Sequence, residues 1–277
     1  MTCAVLGPKG SFSEEAALCY WKKRHDLVVT RSIIEVFAMV ENGVVEAGMV
    51  PIENSRAGSI KATIDYLQES SLTIQGEINL FIEQDLMALK KYGLDEIELL
   101  ISHPVALTQC ERFIHQHLAG VRTEICASTS KAAQMLLKET RRTACIGNKH
   151  AAKLYGLEII YPSIAGDNNI TRFIHISRNK RKNAGNKNSI IFTLPDQAGA
   201  LYKALGVFAL ENLNLSKIES FTGKNKRAGC NFYIEVDTPD NQDLQPLLEK
   251  LEQYCCYVKH LGSYQKAPIV QNVVSYA

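Results

Sequence analysis

Apolar residues recur along this chain with two periods, and the switches between them mark its elements. Thr2–Leu6 is an apolar run of strand length, followed by the turn G-P-K-G-S-F-S-E-E-A-A, where Ser11 and Glu14 form a capping-box pair that predicts a helix through Trp21. Ser32 with Glu35 caps a second helix, in which Ile33, Val36, Phe37 and Val40 fall at the spacing of a core-facing stripe and Gly43 closes it. A buried strand then runs out into polar groups at 53–59, where Gly58-Ser59 is expected to open a helix with Ile60, Ile64 and Leu67 inward. The alternation repeats over 81–165. His103-Pro104 starts a helix with Ala106, Cys110, Phe113 and His117 on one face, and Ser128-Thr129-Ser130 caps another. Strands are expected at 121–126, 143–147 and 157–161.

The stretch 166–177, G-D-N-N-I-T-R-F-I-H-I-S, opens with turn residues and ends as a strand. At the junction stand a hydroxyl, a guanidinium and an aromatic ring: Thr171, Arg172 and Phe173. That trio suits an anionic, ring-shaped ligand, although taken alone it reads more readily as a plain strand entry with a solvated arginine. Residues 181–188 lie in a polar, basic run and read as a linker. Beyond it, 189–264 has the ferredoxin-like order strand, helix, strand, strand, helix, strand, with Asp196 expected to cap the first helix. Such a sheet, with helices on one face, is expected to pair with a copy of itself because its edge and open face need cover. Residues 265–277 read as a loosely ordered tail.

Composition narrows the class. With 46% apolar and 22% charged residues over 277, the chain reads as globular with room for one large or two modest domains. A net charge of +2, and no aromatics interleaved with the basic run, argue against a nucleic-acid partner. No run approaches the roughly 18 apolar residues of a membrane span, and no basic region opens the chain as in a signal peptide, so a cytoplasmic protein is expected. The eight cysteines show neither C-x-x-C nor zinc-site spacing, which points to reduced, buried residues and no metal.

In open α/β sheets a ligand lies beyond the carboxyl ends of the strands, which brings the turns at 7–13 and 53–59 to one shared site. A Gly-rich turn feeding a helix start offers N–H groups to an anion, but the ending of a P-loop is missing. Ser102-His103 sets a hydroxyl beside an imidazole without the G-x-S-x-G elbow of a nucleophile.

Five motifs carry a resemblance: G-P-K-G-S-F-S-E, V-P-I-E-N-S-R-A-G-S, S-H-P-V-A-L-T-Q-C, S-T-S-K-A-A, and N-x-T-R-F at 169–173. In that order they make the chain resemble prephenate dehydratases with a C-terminal ACT regulatory domain, over residues 3 to about 264. The resemblance implies an α/β catalytic domain, 1–180, of two lobes similar to periplasmic binding proteins (about 1–80 with 166–180, and about 81–165), then the ACT domain at 189–264. It implies conversion of prephenate to phenylpyruvate, water and carbon dioxide in L-phenylalanine biosynthesis, with no cofactor or metal. Thr171 carries over as the essential threonine, aimed at the leaving hydroxyl. Arg172 becomes a carboxylate anchor or an orienter of the turn, and Phe173 and Phe12 become ring contacts. Glu53, Asn54, Ser55, Gly58, Ser11, Ser128 and Thr129 fall around the substrate anion.

In the ACT part, Gly199-Ala200-Leu201 matches the effector motif for L-phenylalanine, and Glu219-Ser220 begins its partner motif. The Arg and Pro that usually follow are replaced by Phe221-Thr222, so feedback is expected with a shifted strength or specificity. A second departure is Gly147-Asn148, at a helix cap near the cleft. The resemblance also implies a homo-oligomer, dimer or tetramer, through ACT and catalytic domains. Two other readings remain: an arogenate dehydratase, acting on the aminated substrate, and a catalytically silent amino-acid-binding sensor, against which the intact Thr171-Arg172-Phe173 speaks.

Overall fold

Side-chain caps start the first helices where the sequence places them. After β1 (Thr2–Leu6), the Ser11 hydroxyl accepts from the Glu14 N–H at 3.2 Å and opens α1 (Phe12–Trp21). After β2 (Asp26–Thr30), Ser32 does the same for α2 (Ile33–Glu41). Then come β3 (Ala47–Asn54), β4 (Gly58–Ser59), α3 (Lys61–Glu69) and β5 (Thr73–Phe81). Gly58-Ser59 does not open a helix as expected. The Asn54 side-chain Oδ1 accepts from the N–H groups of Arg56 and Ala57, and Gly58 takes φ +78°, so the chain turns back and pairs antiparallel on β3. Helix α3 starts only at Lys61.

The chain crosses to a second lobe between Phe81 and Asp85. That lobe holds β6 (Asp85–Ala88), β7 (Leu99–Ser102), α4 (Pro104–Gln109), α5 (Glu111–His117), β8 (Arg122–Ile125), α6 (Thr129–Leu136), β9 (Thr143–Gly147), α7 (Lys149–Tyr155) and β10 (Glu158–Tyr161). The single helix expected after His103-Pro104 is broken at Cys110, whose backbone leaves the helical region. The chain returns as β11 (Ile170–Ser177), between β3 and β5. The C-terminal part holds β12 (Lys187–Leu194), α8 (Ala200–Leu210), β13 (Asn214–Phe221), β14 (Cys230–Asp237), α9 (Gln245–Glu252), β15 (Tyr257–Tyr264) and β16 (Ile269–Val270). Helix α8 begins after Gly199, in the left-handed region at φ +79°, not at Asp196. The computed structural model describes residues 1–22, 25–166, 169–179, 185–222 and 229–270, so the first half of the expected linker, 181–184, and the last seven residues of the tail lie outside it.

Three sheets organise the molecule. Lobe one has the order β16-β5-β11-β3-β1-β2 with β4 beside β3; lobe two has β10-β6-β9-β7-β8; the C-terminal sheet, β13-β14-β12-β15, is antiparallel throughout. The architecture is thus a two-lobed, periplasmic-binding-protein-like α/β domain followed by a ferredoxin-like βαββαβ domain. Residues 269–270, expected in the tail, pair parallel with β5 and extend the sheet of lobe one.

The C-terminal domain packs its helices on one face, around Phe192, Phe208, Leu247 and Leu251. Its other face is not left for a second copy, as the sequence suggested. Ile191, Tyr233, Leu261 and Tyr264 enter one core with Ile64, Leu67, Ile74 and Ile176 of lobe one. Gly262 makes that approach possible: its φ is +147°, and a Cβ there would lie 2.2 Å from the carbonyl oxygen of Ile74. Among the described residues no helix is long and apolar enough to cross a membrane.

Candidate active site

Between the lobes lies a cleft of about 310 Å³, lined by Phe12, Asn54, Ala57, Ile60, Ile82, Gln84, His103, Val105, Ala106, Gln109, Ala127, Ser128, Thr129 and Thr171. Every carbon-rich wall residue comes from a strand end, a helix start or the crossover, as the rule for α/β sheets predicts. None of the lining residues carries a carboxylate, an ammonium or a guanidinium.

Thr171 sits near the start of β11, opposite Asn54 at the end of β3. The Asn54 side-chain N–H donates to Thr171 Oγ1 at 2.9 Å and to Asn169 Oδ1 at 2.9 Å. The same two backbone donors that turn the chain after Asn54 hold its oxygen, so its nitrogen faces Thr171. Since Thr171 Oγ1 accepts there, its own O–H can be donated into the cleft. Behind Asn54 an amide chain continues: Asn169 Nδ2 donates to Gln109 Oε1 at 3.0 Å, and Gln84 Nε2 to the same oxygen at 3.4 Å. Asn169 is fully buried, so this chain is a fixed frame.

Two helix starts from lobe two face this frame. Ser128 caps α6 by accepting from the Lys131 N–H at 3.0 Å, with Thr129 beginning the helix. His103 Nδ1 accepts from the Val105 N–H at 3.3 Å, and burial pulls its pKa down, so the ring is neutral near pH 7 and carries its proton on Nε2. Ser102 is no partner for it: that hydroxyl is fully buried and directed at the Ile146 carbonyl.

The structure brings together Thr171, Asn54, Phe12, Ser128 and Thr129 of the residues the sequence nominated. It takes others elsewhere. Arg172 neighbours Thr171 on an extended strand and so points the opposite way. Its guanidinium meets Glu53 at 2.7 Å, Glu77 at 3.0 Å and Glu235 at 2.5 Å, away from the cleft. Glu53, also nominated, is spent there and on Lys217 at 2.6 Å. Phe173 is core, packed with Val5, Ile78 and Leu80 under Phe12. Ser11 donates to the Leu6 carbonyl, and Ser55 Oγ accepts from the Ile170 N–H at 3.0 Å, zipping β3 to β11. Gly58 is exposed in the β3–β4 turn.

Sequence reasoning missed Gln84, Gln109, His103 and the apolar Ile60, Ile82 and Val105 as cleft residues. Gln109 and His103 stand inside a quoted motif; Gln84, at the crossover, had no local signal. Asn148 both caps α7 and donates to the buried Glu15 of α1 at 2.8 Å, so this departure ties the lobes together. Of the residues expected at an effector, Gly199, Ala200 and Leu201 start α8 on the helical face, while Glu219 faces lobe one, with Ser59 and Lys217. A bulge between Leu215 and Lys217 causes the turn of face, and Ser220 is exposed.

Comparison with known proteins bears on this site. Residues 3–181 match the family model for prephenate dehydratase, and 188–256 match the ACT domain. The prephenate dehydratase of Methanocaldococcus jannaschii is 36% identical over 267 residues, covering 93% of this chain and 95% of its own. The structure of the prephenate dehydratase of Arthrobacter aurescens in complex with L-Phe superposes with a TM-score of 0.86 at 28% identity, covering 96% of this chain and 90% of that one. A structure described as a novel type of quorum-quenching acylase superposes at 0.85 with 27% identity, covering 97% and 99%.

Proposed function

The chain belongs to the prephenate dehydratase family, and on that premise we propose that it removes water and carbon dioxide from prephenate to leave phenylpyruvate. The observation that carries this reading is the 2.9 Å hydrogen bond from Asn54 to Thr171 Oγ1, in a cleft without charged walls. The electron pair of the breaking bond to the ring carboxylate enters the ring as the bond to the 4-hydroxyl breaks. The hydroxide takes one proton and leaves as water, and the ring becomes aromatic. Thr171 donates its hydrogen bond to the departing oxygen, and Asn54 steadies the threonine oxygen while that happens. Neutral, largely apolar walls at Ile60, Ile82, Val105 and Ala106 suit the other half of the reaction, since among the described lining residues no cation holds the carboxylate that must go. The N–H groups at the start of α6 supply donors for the pyruvyl carboxylate.

Prephenate is proposed over arogenate because, among the described residues, no carboxylate lines the cleft to receive an ammonium group. An acylase reading finds no support here: Ser102 is buried outside the cleft lining and directed at the Ile146 carbonyl, and His103 Nδ1 accepts from the Val105 N–H. L-Phenylalanine is proposed as effector at the ACT domain, bound at the α8 start (Gly199, Ala200, Leu201) with Glu219 and Ser220. The chain is proposed to work as a homodimer or tetramer, with the edge of β13 available for pairing. The test is phenylpyruvate formation from prephenate and from arogenate, each with and without L-phenylalanine. Turnover of prephenate, suppressed by L-phenylalanine, is expected. Turnover of neither substrate overturns the reading, and turnover without suppression removes the effector.

A further inference from the structure

The site has a built rear face. Glu53 and Asn54 on β3 stand opposite Arg172 and Thr171 on β11. Two pairs therefore lie back to back: Asn54–Thr171 in the cleft at 2.9 Å, and Glu53–Arg172 behind it at 2.7 Å. Apart from Glu77, the groups holding the rear pair come from the ACT sheet. Glu235 of β14 reaches Arg172 at 2.5 Å, and Lys187 of β12 closes onto Glu77 at 3.0 Å and Glu235 at 2.7 Å. Lys217 of β13 reaches Glu53 at 2.6 Å and Ser59 Oγ at 2.7 Å, and that hydroxyl donates to Glu219. Glu53 and Ser59 are paired across the β3–β4 turn, so one ammonium clamps both ends of the turn that aims Asn54.

The geometry points to Arg172, Glu53 and Lys217 as positioning residues that hold the Asn54–Thr171 pair from behind, making the ACT domain a working part of the site. Three cations, Arg172, Lys187 and Lys217, meet Glu53, Glu77, Glu235 and, at the rim, Glu219 in this joint, and Arg172 and Lys187 are almost entirely buried there. A guanidinium ringed by three carboxylates has its charge already compensated behind the cleft, which leaves it little attraction for a substrate anion. A static frame would stop at the domain boundary; this one crosses it three times. Any change of state on β13 therefore reaches the turn that aims Asn54 through Lys217 and through Glu219, which accepts from Ser59. The catalytic consequence rests on the dehydratase reading; the positioning itself does not.

The test uses the full chain with Arg172→Lys, Lys217→Met and Lys217→Arg. Arg172→Lys is expected to lower kcat about tenfold or more with KM within about threefold, since an ammonium cannot serve three carboxylates at once. Lys217→Met should lower kcat with KM kept, and raise hydrogen exchange in peptides spanning 53–59 and 169–173. Lys217→Arg, which can still bridge Glu53 and Ser59, should restore both. A rise in KM with kcat unchanged in Arg172→Lys makes the guanidinium a substrate ligand and overturns the inference. Unchanged exchange in Lys217→Met overturns it as well, whatever the enzyme turns over. Absence of prephenate turnover in the wild type sinks the proposed reaction instead, and the exchange readout then decides the positioning on its own.

Discussion

Single residues in this molecule do their work by facing two ways. Asn54 is held at its oxygen by the turn that follows it, so its nitrogen is committed to Thr171 before any ligand arrives. That is preorganisation: the donor geometry is set during folding and does not have to be found during the reaction. Glu15 is another case, buried under α1 with Asn148 as donor and with His150, Glu83 and Asp85 nearby. Burial is the main cause that pushes its carboxyl up to about 7 from the ordinary 4.5. The folded state therefore prefers the protonated acid. Its contribution is favourable below about 4.5 and is lost as pH rises toward 7, where the buried carboxylate must ionise. Glu15→Gln, which keeps an oxygen for Asn148, is expected to stabilise the protein by roughly 1–3 kcal/mol at pH 8 and by little at pH 4.5. Chemical denaturation at the two pH values checks this, and equal effects at both would refute it.

At the scale of elements, what the sequence disclosed follows local physics. Ser11, Ser32 and Ser128 each cap the helix that their spacing announces, because a cap needs only three residues of context. The βαββαβ order was legible for the same reason. Asp196 as a cap, the helix start at Gly58-Ser59 and the unbroken helix over Cys110 were misread, since left-handed glycines and a side-chain turn decided those boundaries. The motif at 169–173 located the threonine but hid its polarity. Strand alternation sets Thr171 and Arg172 on opposite faces, but only the placement of β11 between β3 and β5 shows which of those faces is the cleft. Gly262 illustrates how closely β15 must approach β5. Gly262→Ala is expected to lower stability by about 2–4 kcal/mol, combining a left-handed φ with a collision against backbone. A thermal or denaturant midpoint like that of the wild type would contradict it.

Over the whole molecule, the sheet of lobe one and the C-terminal sheet meet at one buried ionic joint. Burial alone would raise the Glu235 carboxyl, but Arg172 and Lys187 hold it down at about 2, and Lys217 and Arg172 likewise lower Glu53. For a depressed carboxyl the sign is the reverse of Glu15. The stabilisation is fully present above about 4.5 and is lost as pH falls toward 2. Glu235→Gln leaves two cations short of a partner, and should cost about 3–5 kcal/mol at pH 7. That difference should shrink on acidification, as the wild-type carboxyl itself becomes neutral. Unfolding free energies of both proteins at pH 7 and pH 3 test it, and a difference independent of pH would remove the joint from the stability account. The joint was not legible in the sequence, because Glu53, Glu77, Arg172, Lys187, Lys217 and Glu235 are far apart along the chain and only the fold assembles them.

The most direct measurement of the central claim compares phenylpyruvate formation from prephenate by the wild type and by Thr171→Ala, with melting curves of both. The threonine is half-exposed at the cleft, so its loss should leave the melting temperature nearly unchanged. Turnover in the variant should fall by about a hundredfold or more with the removal of the hydrogen bond to the leaving hydroxyl. A variant that folds and turns over prephenate at close to the wild-type rate would show that the chemistry is carried elsewhere.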